Sequence, residues 1–208
     1  TANQNGTAAL SYPFEAPKGR AGIAASAGLQ YSSDGSSSYV GYGWSLPLQS
    51  IDIETRWGVP HFSTEYESES YLLMGKQLND RVYRKIDMDK RKSEKQFSTM
   101  VEAGFNKIIR HGDSPKNYWW EVTSKDGTVY SYGGYAGAVD DNTTLTDDNG
   151  NRIKWVLKRV TDVHGNFAAY HYTKSGNNLY PQKYAYTGFG TQEGLYSIEF
   201  DIDQTGNN

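Results

Sequence analysis

Apolar side chains in this chain recur on alternate residues, and nowhere do they sustain a helical period. That property leaves strands as its main regular structure. In Ser197-Ile198-Glu199-Phe200-Asp201-Ile202-Asp203 every second residue is apolar, and Ile51 and Ile53 alternate with Asp52 and Glu54 in the same way. The turns between strands are equally legible. Gly127, Gly150 and Gly165 each follow Asp, Asn or His and precede Thr or Asn, and an aromatic residue (Tyr132, Trp155, Tyr170) stands five positions after each. Glycine at positive φ in a hairpin, followed by a strand whose ring packs on a neighbour, explains this pattern. The units are 23 and then 15 residues apart, so an ordinary antiparallel meander stays open beside a repeat of turn-strand units.

The expected strands are Ala27–Ser32, Ser45–Thr55, Tyr71–Met74, Arg81–Asp87, Gln96–Met100, Phe105–Arg110, Tyr118–Thr123, Thr128–Tyr132, Arg152–Val160, Phe167–Thr173, Lys183–Tyr186 and Leu195–Asp203. The fold class is mainly β, with antiparallel strands and hairpins forming curved or layered sheets and little helix. Tyr, Trp and Phe make up 14% of the 208 residues, and such rings favour strands. Between Ile86 and Gln96 the run Lys90-Arg91-Lys92-Ser93-Glu94-Lys95 has no apolar stripe. Asp87, Asp89 and Glu94 offset its charge, so it is expected to be a solvated hairpin tip, with a partner-binding patch as the alternative.

A net charge of −3 argues against a nucleic-acid partner. No apolar run is long enough to span a membrane as a helix. The first residues carry no signal-peptide pattern. Without cysteine there is no disulfide framework, thiolate metal site or thiol nucleophile.

Candidates for chemistry each lack a part. Glu67-Ser68-Glu69, with Arg56 and Ser63-Thr64 nearby, resembles the acidic pair of mono-ADP-ribosyltransferases. In that family these elements lie far apart in sequence, so a polar loop between strands is expected here. His61, His111, His164 and His171 are expected in turns or on the surface. His164 and His171 would face each other across a hairpin but lack further zinc ligands. Asp140-Asp141-Asn142 and Asp147-Asp148-Asn149-Gly150-Asn151 fail the EF-hand pattern, with Leu145 and Val156 at ligand positions, which favours an acidic turn over a weak calcium site. No catalytic, cofactor-binding or metal-ligating residue is therefore expected. Trp119-Trp120 would place its indoles on opposite faces of one strand, one buried and one facing a second layer, a partner or a sugar.

The segment Pro17-Lys18-Gly19-Arg20-Ala21-Gly22, the strand to Tyr31-Ser32-Ser33 and the entry Gly41-Tyr42-Gly43-Trp44-Ser45-Leu46 carry a family resemblance. So do Gly58-Val59-Pro60, Tyr71-Leu72-Leu73-Met74-Gly75, Glu102 with Phe105, Ile109-Arg110, Tyr118-Trp119-Trp120-Glu121-Val122, Asp126-Gly127-Thr128, Trp155-Val156-Leu157 and Asp162-Val163-His164-Gly165-Asn166. In this order, over roughly residues 7–200, the chain resembles the SpvB N-terminal module of bacterial toxin shell proteins. These include the B components of Tc toxin complexes and relatives of Rhs/YD-repeat proteins. Ala25, Ala27 and Ser36-Ser37 depart from the family's usual residues.

The resemblance implies one β-rich module, residues 1–208, from a longer bacterial chain, with Rhs repeats, a β-propeller and toxin-complex subunits as partners. It implies secretion to the extracellular space after storage in the cytoplasm, and a non-enzymatic shell role. Any enzymatic domain would lie C-terminal to the module. A carbohydrate- or cell-surface-binding module is the alternative, with an enzyme third. Structural roles fall to Pro17, Gly19, Arg20, Gly22, Gly41, Gly43, Trp44, Trp119, Trp120, Gly127, Trp155, Asp162, Gly165 and Asn166. Trp44 is expected to be mostly buried, and Arg20 to brace its loop by bonding backbone carbonyls. The strand at Ile198–Ile202 would leave an open edge, guarded by Glu199, Asp201 and Asp203 or paired with a neighbouring molecule.

Overall fold

The computed structural model describes residues 6–23, 25–56, 58–80, 91–99 and 105–202. The expected strand Arg81–Asp87, the family's Glu102, Lys90 of the basic run and Asp203 lie outside them. Strand accounts for 53% of the structure and helix for 3%, as alternation without helical periodicity requires. The strands are β1 (Ala9–Pro13), β2 (Gly28–Ser32), β3 (Ser37–Ser38), β4 (Gly41–Tyr42), β5 (Trp44–Ser45), β6 (Ser50–Ile53), β7 (Tyr71–Leu73), β8 (Lys76–Asp80), β9 (Glu94–Thr99) and β10 (Phe105–His111). They continue with β11 (Trp119–Ser124), β12 (Val129–Tyr132), β13 (Gly134–Tyr135), β14 (Ala138–Val139), β15 (Thr144–Thr146), β16 (Arg152–Thr161), β17 (Asn166–Ser175), β18 (Asn178–Phe189) and β19 (Tyr196–Glu199).

Eight of them, in the order β12-β11-β10-β9-β8-β7-β6-β16, form a barrel-like sheet that closes where β12 pairs β16. Closure follows from the two edges of β16. The Leu157 amide donates to Gln49 O on the β6 side at 2.9 Å. Val156 O accepts from the Gly133 amide on the β12 side at 3.0 Å. These two groups belong to one trans peptide, whose N–H and C=O point in opposite directions, so β6 and β12 lie on opposite edges. Farther along, Arg159–Thr161 also pairs with β17, and β17, β18 and β19 extend the sheet beyond the barrel. A separate sheet, β1-β2-β5, lies before it in sequence.

Alternation selects the barrel interior. Ile51 and Ile53 on β6, Tyr71 and Leu73 on β7, Phe97 on β9, Ile108 on β10, Trp120 and Val122 on β11, and Trp155 and Leu157 on β16 belong to one buried cluster. Its centre is aromatic. Trp120 lies 4.8 Å from Tyr71, 5.1 Å from Phe97 and 5.8 Å from Trp155, centroid to centroid. The Trp155 indole N–H donates to Tyr118 O at 2.6 Å, so that ring is fixed in orientation as well as packed.

The three turn glycines take φ of +84°, +82° and +83°, and the ring five residues after each is buried. In two turns one carboxylate holds the geometry. Asp147 accepts from the amides of Asn149 and Asn151 and from Asn151 Nδ2, at 2.8–2.9 Å. Asp162 accepts from the amides of His164 and Asn166 and from Asn166 Nδ2, at 2.7–2.8 Å. In the Gly127 turn Asp126 takes over, accepting from the Thr128 amide and the Ser124 hydroxyl.

Several expectations need correction. Ser45–Thr55 is two strands, β5 and β6, because Pro47 falls between them and cannot donate to a ladder. β18 starts before Lys183 and includes Pro181, whose missing N–H is accommodated at a register shift between His171 and Tyr172 of β17. β1, β8 and β15 were not expected, being short or polar. Arg20 is exposed; its carbonyl, accepting from the Ile23 amide at 3.2 Å, closes the turn. No hydrogen bond of its guanidinium is found among the described residues. Trp44 is partly buried, 5.2 Å from the Tyr31 ring, and is not part of the central core.

Candidate functional site: a buried ion cluster at one end of the barrel

The start of β9, the end of β10, the start of β11 and the start of β7 lie at the same end of the antiparallel barrel. Lys95, Arg110 and Tyr71 occupy three of those positions, Tyr118 immediately precedes β11, and segment 63–69 bonds to them. Arg110 sits two residues from Ile108 on the inward face of β10, and Lys95 two residues from Phe97 on β9. Both charges therefore point where apolar residues would be expected.

Glu67 neutralises them. Its Oε2 accepts from Lys95 Nζ at 2.9 Å and from Arg110 Nη2 at 3.1 Å, and its Oε1 accepts from the Tyr71 hydroxyl at 2.7 Å. Arg110 Nε lies 3.0 Å from Oε1 but has no hydrogen bond of good geometry, so that contact is electrostatic. Side-chain exposure is 1% for Glu67, 0% for Arg110 and 5% for Lys95. The Arg110 guanidinium also lies 3.7 Å over the Tyr118 ring. Burial pushes the Glu67 carboxyl up, but Arg110 and Lys95 outweigh it and hold it below the usual carboxylate value.

A second pair continues the cluster. Arg91 Nη2 donates to both oxygens of Glu69 at 2.8 and 3.1 Å, with side-chain exposures of 3% and 1%. Nη2 also reaches Tyr66 O at 3.0 Å, while Nε and Nη1 donate to Ser63 O and the Tyr118 hydroxyl, each at 2.8 Å. Arg91 thus stitches the 63–69 segment to the barrel end. Glu67-Ser68-Glu69 lies in the loop between β6 and β7, as expected, but its two carboxylates are buried as a clamp. One expectation is corrected: within the basic run, expected to be solvated, the Arg91 and Lys95 side chains are interior. Periodicity could have flagged Lys95 and Arg110 through their shared parity with Phe97 and Ile108. Arg91 lies outside any described strand and gave no such signal.

The cluster is not assembled for ADP-ribosyl transfer. Both carboxylates are saturated by buried cations, and Arg56, largely exposed, bonds Glu54 instead. The histidines also stay apart. His171 pairs with Glu193, His164 sits in the Asp162 turn, and His111 stacks on Trp119 at 4.2 Å while bonding Glu121 at 3.0 Å. Among the described residues no group of His, Asp and Glu is arranged to hold a metal ion. The Asp147 carboxylate is already occupied by its own turn.

Trp119 and Trp120 face opposite sides of β11, yet both are buried, at 6% and 0% exposure. Trp120 fills the barrel. Trp119 is roofed by the β13–β14 hairpin, where a Cβ at Gly134 would lie 2.9 Å from Trp119 Cβ. The remaining structural positions are dispersed. Pro17, Gly19 and Gly22 lie around the first turn, and Gly19 approaches Ile23 O so closely that a Cβ would sit 1.8 Å from it. Gly41 and Gly43 flank the β4–β5 corner. Gly127, Asp162, Gly165 and Asn166 belong to the hairpin turns, and Trp155 to the core.

The solved structures similar to this chain carry the same architecture. One, the crystal structure of TcdB2-TccC3-TEV, aligns over 98% of this chain and 11% of its own, with TM-score 0.76 and 20% identity. The Photorhabdus luminescens Tc holotoxin pore aligns over 87% of this chain and 9% of its own, with TM-score 0.69 and 20% identity. The N-terminal domain of effector protein SpvB from Salmonella typhimurium strain LT2 aligns over 80% of this chain and 60% of its own, with TM-score 0.64 and 20% identity. The chain thus spans about a tenth of the Tc toxin chains it matches and less than two thirds of the SpvB domain. No curated protein sequence matches it significantly. Residues 2–191 match the sequence profile of the SpvB family, described as Salmonella virulence plasmid 65kDa B protein, and the chain belongs to that family.

Proposed function

We propose that this chain is a non-enzymatic structural module of a bacterial toxin or Rhs-type shell, contributing strands to a wall that encloses a toxic polypeptide. The observation that carries the reading is where the reactive groups go. Glu67, Glu69, Arg91, Lys95 and Arg110 saturate one another inside the barrel end, so their chemistry is spent on holding segment 63–69 in place. Family membership and the likeness to Tc toxin chains, of which this chain matches about a tenth, support a place within a longer polypeptide. Its partners would then be Rhs repeats and a β-propeller of the same chain, together with toxin-complex subunits. Its compartment would be extracellular after release from the bacterial cytoplasm. No helix among the described residues is long and apolar enough to cross a membrane. The glycan-binding alternative loses its platform, since both adjacent indoles are covered.

The test is made in the continuous reading frame. The long chain is expressed with and without residues 1–208, and protease protection of its enclosed segment is measured alongside electron-microscopic images. A wall role predicts a closed particle that opens, and a segment that becomes cleavable, when the module is deleted. Protection that survives the deletion unchanged would refute it.

A further inference from the structure

Strand β19 ends the large sheet among the described residues, and two grooves of different chemistry flank it. The Phe200 amide donates to Gln182 O at 3.0 Å, and Ile198 and Tyr196 continue that register opposite Tyr184 and Tyr186. Their backbone groups therefore face β18. Those of Ser197 and Glu199 face outward, where no described strand receives them.

On one side of β19 lies an apolar groove of about 560 Å³, lined by Phe14, Leu29, Leu46, Pro181, Ile198 and Phe200. On the other lies a polar groove of about 660 Å³, lined by His171, Gln182, Lys183, Glu193, Glu199 and Asp201. Glu193 there already pairs with His171 and lies 3.8 Å from Lys183, which leaves Glu199 and Asp201 as the carboxylates nearest the β19 edge. Around the turn between β18 and β19, Phe189, Leu195 and Tyr196 are exposed at 56%, 97% and 58%, and the Tyr196 ring stacks on Tyr186 at 5.8 Å.

We infer that β19 is a strand-addition site for an extended polypeptide whose residues alternate between apolar and cationic. The free N–H and C=O groups of Ser197 and Glu199 would pair with the incoming backbone. Side chains along a strand alternate between faces, so one set enters the apolar groove beside Ile198 and Phe200. The other set meets Glu199 and Asp201, and charge complementarity selects Lys or Arg for it. The inference rests on the edge and its grooves, independently of any shell role.

Binding of short extended peptides to the 208-residue chain tests it, by fluorescence anisotropy with backbone amide exchange read in parallel. One peptide alternates Val and Lys, and a second alternates Val and Glu. The Val/Lys peptide is expected to bind, to weaken as salt is added, and to protect the amides of Ser197 and Glu199. The double change Glu199→Lys with Asp201→Lys should weaken it by roughly tenfold and shift preference to the Val/Glu peptide. Ser197→Pro removes one outward N–H at an exposed position and should weaken both peptides; melting curves verify that each variant folds. If Ser197→Pro fails to fold, the charge reversal and the amide protection decide. The inference is overturned if neither peptide binds, if binding ignores the charge reversal, or if β19 amides gain no protection. A chain dimer that Ser197→Pro dissolves would also overturn it, by making a second copy the occupant.

Discussion

Replacing Glu67 by Gln keeps the shape of the side chain and removes the charge that neutralises Arg110 and Lys95. Both cations would stay buried, since their stems are packed among Tyr71, Phe97 and Tyr118, with Lys95 Nζ 5.6 Å from the Phe97 ring. An amide oxygen in the place of Oε2 can still accept from Lys95 and Arg110, but it carries no charge, and the amide nitrogen then faces Arg110 Nε and the Tyr71 hydroxyl. Removing one partner of a buried ion pair costs about 3–5 kcal/mol, because the other charge is left uncompensated. For a domain of this size each kcal/mol lowers Tm by about 2–4 °C, so the expected drop is roughly 6–20 °C. Tryptophan fluorescence on heating is a suitable readout, with Trp120 packed between the cluster and the core. The pH dependence provides an internal check. The Glu67 carboxyl is held below its ordinary value of 4.5, so its contribution to stability is complete above that pH and is lost as pH falls through the lowered native value. Glu67→Gln should flatten this acid limb while leaving the slope near neutrality unchanged. A Tm within about 2 °C of the parent, roughly what 1 kcal/mol would produce, would refute the reasoning and mean that water reaches the cluster.

Trp120→Ala should cost about 3–5 kcal/mol in denaturant unfolding, whereas Trp44→Ala, at a partly exposed site, should cost roughly 1–2 kcal/mol; equal losses would place Trp44 in the core after all. Gly43→Ala forces a side chain at φ +76° and sets its Cβ 2.7 Å from the Tyr31 ring, so a loss of about 1–3 kcal/mol with altered near-ultraviolet dichroism is expected. Gly137→Ala, at φ +86° with open space around it, should lose only about 1 kcal/mol, and a larger effect would discredit the contact argument. Asp162→Ala removes the acceptor of three hydrogen bonds in the β16–β17 turn and should cost about 1–2 kcal/mol, with amide exchange quickening first at His164 and Asn166.

The strands were legible because alternation and turn glycine are local signals. Asp147 and Asp162 close their turns within five residues, and the rings at Trp155 and Tyr170 follow at a fixed distance. Closure of the barrel was not legible. It depends on β16 pairing β6 with its first half and β12 with its second, a long-range choice that leaves only a long strand in the sequence. The ion cluster was hidden for another reason. A charged run beside a hairpin is normally solvated, and that expectation fails for Arg91 and Lys95 only because Glu67 and Glu69 arrive from more than twenty residues away. Trp119-Trp120 was read correctly as two opposite faces, but the roof over Trp119 comes from the two-residue strands β13 and β14, too short to leave a pattern.

The placement of charge explains why one end of the barrel is fixed, while the β19 edge of the sheet has no partner strand among the described residues. A barrel of eight strands leaves an interior that side chains can just fill. Rings fill its middle, but the 63–69 segment brings backbone carbonyls over one mouth, and those need donors. Arg91 supplies them to Ser63 O and Tyr66 O, and Arg110 does the same for Gly112 O and Lys92 O beside the segment. Once the arginines are buried, Glu67 and Glu69 become obligatory, so the cluster follows from capping the mouth with irregular chain. Among the described residues nothing comparable covers β19. Its outward groups face solvent, its flanking carboxylates discourage pairing with an acidic strand, and its apolar neighbours favour pairing with an amphipathic one. The barrel end is a finished surface, whereas the β19 edge is complementary to a strand of a particular pattern.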